Sequence, residues 1–436
     1  MLDILISNVS VVTMDALNTV LTHGYVGIRD GKIAYVSCNK PDEDAKQIID
    51  GANRALMPGL VNLHTHINMT CLRGYSDDLP LFDWLSDLTP PQNRMNERAM
   101  YLASMLGLAE MIAGGTTSIS SMDMFLPTVM QAAFDAGIKG CHCNSAFCPN
   151  DTKEFSLEQD YAYTEIQRAM ELHNADDGRI RLDAGIHAEY TTAPALWRST
   201  TAFAAKYNLG LQVHLSETVR EHEDCIARYH KTPACCLLDE GVFSLNNVVA
   251  AHCVHVSNED LDLLKSHNVA VAHNPSSNLK LGSGIAPVHR MLEQGLLVGI
   301  GTDSAASNNA LDMLHETRMA ALLQKGVAMD PTLVPAMEAL RMATVNGAQA
   351  QGRGNECGCI VPGYDADLIL IRTDSPRLSP VNNIVSTLVY SATSADVCLT
   401  MVRGKILYQD GAWTTIDVPA LRDEIDRVVM PLIART

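Results

Sequence analysis

The chain has 436 residues, 47% of them hydrophobic, which is enough for one large barrel with additions or for two to three smaller domains. Its 32 basic and 50 acidic residues give a net charge of −18, which argues against a nucleic-acid or anionic-membrane partner. The twelve cysteines contain no C-x-x-C pair, and no apolar run reaches the roughly 18 residues of a membrane span, so a zinc ribbon and a spanning helix are both disfavoured and a reducing cytoplasm is expected.

The N-terminal segments ILISNVSVVTM and YVGIRDGKIAYVS alternate or run apolar, as strands do, with Asp30-Gly31 at a hairpin turn. The first residues lack the basic region and cleavage site of a signal peptide. From about residue 56 the pattern changes. Short apolar runs alternate with helical stretches: ALMPGLVNLH, TTSISSM, IKGCHCNSA, IRLDAGIHA, LGLQVHLSE, VVAAHCVHV, VAVAHNP and LLVGIGTDS. This rhythm predicts a parallel α/β architecture, either open and doubly wound or closed as a (β/α)8 TIM barrel. No G-x-G-x-x-G follows the first run, so a dinucleotide-binding fold loses ground. After about residue 355 the β pattern returns in ADLILIRTD and DVCLTMVRGKILYQDGAWTTI, with turns at Arg403-Gly404 and Asp410-Gly411, before a helical tail. The expected organisation is residues 1–55 and 356–436 paired in one small β domain, interrupted by a central domain of residues 56–355.

The polar residues of the central runs fall at their ends. In GLVNLHTHINMT, His64 and His66 stand at i and i+2, on one side of a strand. Alone, that pair is as readily a coincidence as a metal site. Later runs add His187, then His214 with Glu217, His252 with His255, His273, and Asp303. In a (β/α)8 barrel the C-terminal strand ends ring the active-site mouth. A series of histidines at one rim points to a metal or catalytic centre, since each buried imidazole otherwise needs its own partners. His64, His66, His214 and Asp303 are able to converge, and three imidazoles with one carboxylate suit Zn2+ and tolerate Fe2+ or Mn2+. The run IRLDAGIHAEY has no lysine to bridge a second ion, so one metal is expected.

The segments PGLVNLHTHINMTCLRGYSDDLPLFDWL, AEMIAGGTTSISSM, HLSET, AHCVHV, AHNPSSNLKLGSG, GTDSAASNNALDMLHETR and GYDADLILI run almost end to end. On these the chain resembles the amidohydrolase superfamily, in the branch of 5′-methylthioadenosine/S-adenosylhomocysteine deaminases and triazine chlorohydrolases. The resemblance implies a (β/α)8 barrel with a small β-sandwich built from both chain ends. It implies His64, His66, His214 and Asp303 as ligands of one divalent metal. It gives Asp303 the proton of the attacking water, Glu217 the protonation of a ring nitrogen, and His252 the attacking water or developing oxyanion. His187 matches a substrate contact, and Trp84, in RGYSDDLPLFDW, is placed to pack on a planar ring or to anchor the wall. His273 is assigned equally to structure or function.

Three departures concern the substrate. Counting from Trp84 puts Asn93 where the family's nucleoside deaminases carry a ribose-binding glutamate. No arginine occurs between Arg98 and Arg168, where the family uses arginines after the third strand. Glu189 replaces a proline in HAEYT, so it is expected either to bind a cationic substrate group or to face solvent. The implied activity is hydrolytic deamination of an amino-substituted N-heterocycle by metal-activated water, with an adenosine-type nucleoside as the named substrate. Hydrolysis of a chloro or alkylamino substituent on a triazine or pyrimidine is the alternative. A non-catalytic scaffold on the same fold would lack ligands that are all present here. Cytidine-type zinc deaminases need P-C-x-x-C, which the chain does not contain. A cytoplasmic homo-oligomer acting on a small heterocyclic molecule completes the expectation.

Overall fold

The computed structural model describes residues 1–144, 148 and 154–435. Eight parallel strands form its centre: Leu60–Thr65, Thr116–Asp123, Lys139–Asn144, a fourth in two pieces (Ile180–Leu182 and Ala184–Ala188), Leu211–Leu215, Val248–His252, Ala270–His273 and Val298–Ile300. Nearly every residue of these strands is buried. That is why they read as continuous apolar runs rather than alternating ones, since a barrel strand packs side chains inward and helices outward. The fourth strand breaks at Asp183, whose N–H donates to the His142 carbonyl at 2.7 Å. The ring closes where Thr65 bridges Asp303 in parallel register and the Asp303 N–H donates to the His64 carbonyl at 2.9 Å. Closure is thus the (β/α)8 barrel rather than the open sheet.

Several helices between the strands start on side-chain caps. Asn96 accepts the Ala99 N–H at 3.0 Å ahead of Glu97–Ala113, and Ser257 with Asp260 forms a reciprocal capping box for Asn258–Ser266. Each satisfies N–H groups that a helix start would leave without partners.

Both chain ends meet in one nine-stranded sheet. Arg54–Pro58 pairs antiparallel with Leu368–Arg372, and that contact joins the N-terminal strands to the C-terminal ones. The hairpins expected at Asp30-Gly31, Arg403-Gly404 and Asp410-Gly411 all turn through left-handed residue pairs. Ile4, Val26 and Ile28 share one apolar cluster with Leu368, Leu399 and Met401, so the two halves of the sheet bury a common core. The strand Arg54–Pro58 spans the expected boundary at residue 55, and the tail helix Val418–Val428 packs on Glu97–Ala113, where Arg98 and Glu424 pair at 2.6 Å.

A buried ion-pair network fastens sheet to barrel. Lys139, at the foot of the third barrel strand, is fully buried and lies 2.7 Å from Asp365 and 2.6 Å from Asp367. Lys32 and Arg403 reach Asp365 from the sheet side at 2.8 and 3.0 Å. Burial pushes the Asp365 carboxyl up, but Lys139, with Lys32 and Arg403, reverses this and holds it below the ordinary range.

Candidate active site

Four side chains from three strand ends converge at the barrel mouth. His64 and His66 leave the first strand with ring centroids 4.9 Å apart at 87°. His214, from the fifth strand, lies 4.8 Å from His64 and stacks on His66 at 5.3 Å. The nearest nitrogens of His66 and His214, both Nε2, are 3.2 Å apart. Asp303 follows the eighth strand, its Oδ1 lying 3.4 Å from His66 Nε2 and 3.6 Å from His64 Nε2. Gly301 makes this approach possible. A Cβ there would sit 2.3 Å from Asn274 Oδ1 and 2.8 Å from the His64 carbonyl oxygen.

Backbone carbonyls orient the rings. The Nδ1–H of His66 donates to Met122, and that of His214 donates to His187 at 2.5 Å. Each ring therefore presents an Nε2 lone pair to the centre. The Nε2 of His64 is buried and has no hydrogen-bond partner. A buried polar atom left so is costly unless something fills the gap. Burial, with the neighbouring imidazoles, holds His64 and His214 well below the usual histidine range, so both are neutral. Asp303 would be raised by burial, but the nearby His66 and His252 and the Ser277 hydroxyl reverse that and lower it. Ser277 and Ser307 donate to its Oδ2 at 2.6 and 2.8 Å, leaving Oδ1 toward the histidines. Converging lone pairs, an orphaned ring nitrogen and one carboxylate make a donor set that fits a divalent metal ion.

Glu217 and His252 lie beside this cluster. Glu217 is 3% exposed, and its Oε1 accepts from Ser283 Oγ at 3.3 Å. Its Oε2 stands 3.8 Å from His252 Nε2. Burial raises the Glu217 carboxyl above its usual range, with His252 opposing in part. The Nδ1–H of His252 donates to Asn278 Oδ1 at 2.7 Å, which leaves Nε2 facing the site. Ser216, His252, Cys253 and Asp303 all have φ between 47° and 74°. Left-handed conformations are strained for these residue types and collect at functional sites.

A cavity of about 260 Å3 opens over the cluster, walled by His66, His187, His214, Glu217, His252 and Asp303. Trp84 closes it from the helix Leu81–Asn93, and His187 lines it with its Nδ1 2.8 Å from Thr191 Oγ1. Two expected substrate contacts are placed elsewhere. Asn93 is exposed and does not line the cavity, whereas Gln92 does. On a helix, Gln92 follows Trp84 by eight residues and shares its face, and Asn93 lies a further 100° around. Glu189 neither faces solvent nor meets the cavity. It is fully buried and paired with Arg228 at 2.7 Å, with burial pushing its carboxyl to about 7. His255 donates from Nε2 to the Ser283 carbonyl at 2.7 Å, a loop contact. His273 is buried, neither ring nitrogen has a partner, and burial lowers it to about 3. The arginine-free segment after the third strand falls largely in residues 145–147 and 149–153, outside the described residues.

Some wall residues were not anticipated. Asp123 ends the second strand in SISSMD and lines the cavity, so the strand-end rule was able to find it. Asn278 and Ser277, which line no part of the cavity themselves, hold His252 and Asp303 in place. Asn68 lines the cavity two residues past His66 with no prior signal.

The amidohydrolase family profile matches residues 55–407, and a BsNagA composite domain profile matches residues 3–52. A 5-methylthioadenosine/S-adenosylhomocysteine deaminase of Acetivibrio thermocellus is 40% identical over 98% of this chain and 99% of its own. The zinc-bound crystal structure of an adenosine deaminase from Xanthomonas campestris superposes with a TM-score of 0.92 at 30% identity, covering 99% of this chain and 98% of that one. A triazine hydrolase variant superposes with a TM-score of 0.89 at 25% identity over 99% of both chains. This chain belongs to the amidohydrolase family.

Proposed function

We propose that this protein is a metal-dependent hydrolytic deaminase of adenosine-type nucleosides, replacing the exocyclic amine of the purine by oxygen and releasing ammonia. The observation that carries the reading is one buried mouth holding both the His64–His66–His214–Asp303 cluster and the Glu217–His252 pair. The nucleoside-deaminase relative at 40% identity favours an amino-purine over the triazine alternative. We infer zinc as the ion, because the donor set is rich in imidazole and the X. campestris adenosine deaminase binds zinc.

His64, His66, His214 and Asp303 would hold a divalent ion, which would supply the Lewis acidity that makes water nucleophilic near neutral pH. Asp303, kept below the ordinary carboxylate range, accepts the proton of the attacking water and returns it to the leaving amine. Glu217 starts protonated in its dry pocket and gives its proton to the ring nitrogen beside the reacting carbon. His252, with Nδ1–H fixed on Asn278, holds the attacking water through Nε2. Trp84 and the apolar wall of Leu81, Leu85 and Leu281 pack the planar base and exclude water. His187 and Gln92 offer polar contacts to the rest of the substrate.

Ammonia release from adenosine, 5′-methylthioadenosine and S-adenosylhomocysteine by zinc-loaded enzyme tests the reading. Release from at least one is expected; none from any adenine nucleoside refutes it. Self-association, expected from the family resemblance, is read by sedimentation of the same preparation.

A further inference from the structure

Behind the proton-donating pair lies a carboxyl group that no step above uses. Glu221 is fully buried on the first turn of the helix Val219–Tyr229. Its Oε1 accepts the backbone N–H of Ser216 at 2.9 Å. Its Oε2 accepts the N–H groups of Glu217 at 2.7 Å and Thr218 at 3.4 Å. Three successive N–H groups of the segment that carries Glu217 therefore end on one side chain. The carbonyl edge of the same segment is held by the end of the adjacent sixth strand. Cys253 N–H donates to the Leu215 carbonyl at 3.0 Å, and His255 N–H donates to the Ser216 carbonyl at 2.9 Å. Ser216 itself has φ +47°, a left-handed conformation that serine adopts only when its surroundings impose it.

Helix capping accounts for only part of this. In a capping box the first-turn glutamate reaches back to the N–H of the cap residue. Here that contact is the longest of the three, at 3.4 Å to Thr218, while Thr218 Oγ1 accepts the Glu221 N–H at 3.2 Å. The two shorter bonds go to Ser216 and Glu217, which precede the cap and lie outside the helix. They hold the turn on which Glu217 stands.

We propose that Glu221 is a positioning residue for the reaction: its carboxyl group, accepting these N–H bonds, fixes the Ser216–Glu217 backbone and so aims the Glu217 carboxyl beside His252. The inference rests on Glu217 being the proton donor. Two oxygens that take three consecutive N–H groups fix the geometry of that turn. Burial, with Glu217 beside it, pushes the Glu221 carboxyl up to about 8, and the N–H donors of Glu217 and Thr218 act against this. A proton donor displaced by even about 1 Å loses on the order of a hundredfold in rate.

The test uses the metal-loaded full chain. Glu221→Gln replaces one of the two accepting oxygens by an amide NH2 that meets N–H groups head on. Its kcat is expected to fall about ten- to a hundredfold, with KM within about threefold and metal content unchanged. Thr218→Ala removes the capping hydroxyl of the same helix end and leaves the carboxyl group. It is expected to lower the melting temperature comparably while keeping kcat within about threefold. In a Glu217→Gln background, Glu221→Gln should cost less than about threefold more, since the group it aims is gone. Wild-type kcat in Glu221→Gln, an equal loss in both backgrounds, or an equal kcat loss in Thr218→Ala would each overturn the inference. If Glu221→Gln does not fold, Glu221→Asp carries the comparison: reduced kcat with full metal content supports it, and wild-type kcat sinks it. If Glu217→Gln alone keeps wild-type rates, the fault lies with the proton-donor reading instead.

Discussion

Glu217→Gln isolates the proposed proton-donor step from the proposed metal ligands. The amide keeps the volume of the carboxyl and an oxygen for the Ser283 hydroxyl, which donates at 3.3 Å. It has no proton to give at the place where Glu217 Oε2 faces His252 Nε2 at 3.8 Å. General acid catalysis typically contributes about 10²- to 10⁴-fold, or about 2.7–5.5 kcal/mol of barrier at about 1.4 kcal/mol per tenfold. Glu217 is not part of the His64–His66–His214 group, so stoichiometric metal should remain. The assay is steady-state ammonia release with metal content measured in parallel. The expected result is kcat lower by at least about 10²-fold, with KM and metal nearly unchanged. The pH profile adds a signed check. Burial raises Glu217, so its active, protonated form persists above the ordinary carboxylate value of 4.5. Wild-type kcat/KM should therefore fall on the alkaline side, as pH rises through the raised pKa, and that limb should be missing in Glu217→Gln. A variant that keeps more than about a tenth of the wild-type kcat, or the same alkaline limb, would refute the assignment.

Other consequences are equally direct. His64→Ala removes the ring whose Nε2 has no other partner; metal content and activity should fall together, and chelation of the wild type should do the same reversibly on adding zinc. Gln92→Ala should raise KM severalfold and Asn93→Ala should not, because only Gln92 lines the cavity; the reverse pattern would restore the count from Trp84. Lys139→Ala leaves Asp365 and Asp367 facing a void in the buried network, and should cost about 3–5 kcal/mol, the usual range for breaking a buried pair, seen as a lowered denaturation midpoint. Since Asp365 is held below its ordinary value of 3.8, its contribution to stability should be complete above that pH and be lost as pH falls through the depressed pKa.

Much of this site is local information. Strand-end histidines in apolar runs point to one cluster at the rim because side-chain direction alternates along a strand and barrel strands all open at one rim. His64, His66, His214, Glu217, His252 and Asp303 were legible as polar strand ends, alongside His187, His255 and His273, and the family resemblance separated the six; each of them lies at the mouth. The hairpins at Asp30-Gly31 and Arg403-Gly404 were legible for the same reason, since φ > 0 at both turn residues restricts what can stand there.

What a side chain faces across the molecule is not local. The count from Trp84 selected Asn93, but helix phase and packing turn Gln92 inward. Glu189 looked like a free acid until the fold brought Arg228 against it from a helix that begins thirty residues later. Lys139 read as one residue in an apolar strand, and only the closing of both chain ends beneath the barrel supplied Asp365 and Asp367. Whether the sheet closed at all depended on Thr65 meeting Asp303, a contact spanning nearly the whole barrel sequence. Element types, turn chemistry and the polar residues at the barrel rim could be read along the chain, because these follow from periodicity and backbone preference. The tertiary structure decided closure, ion-pair partners and the substrate wall, because contacts between distant segments depend on how all the elements pack together.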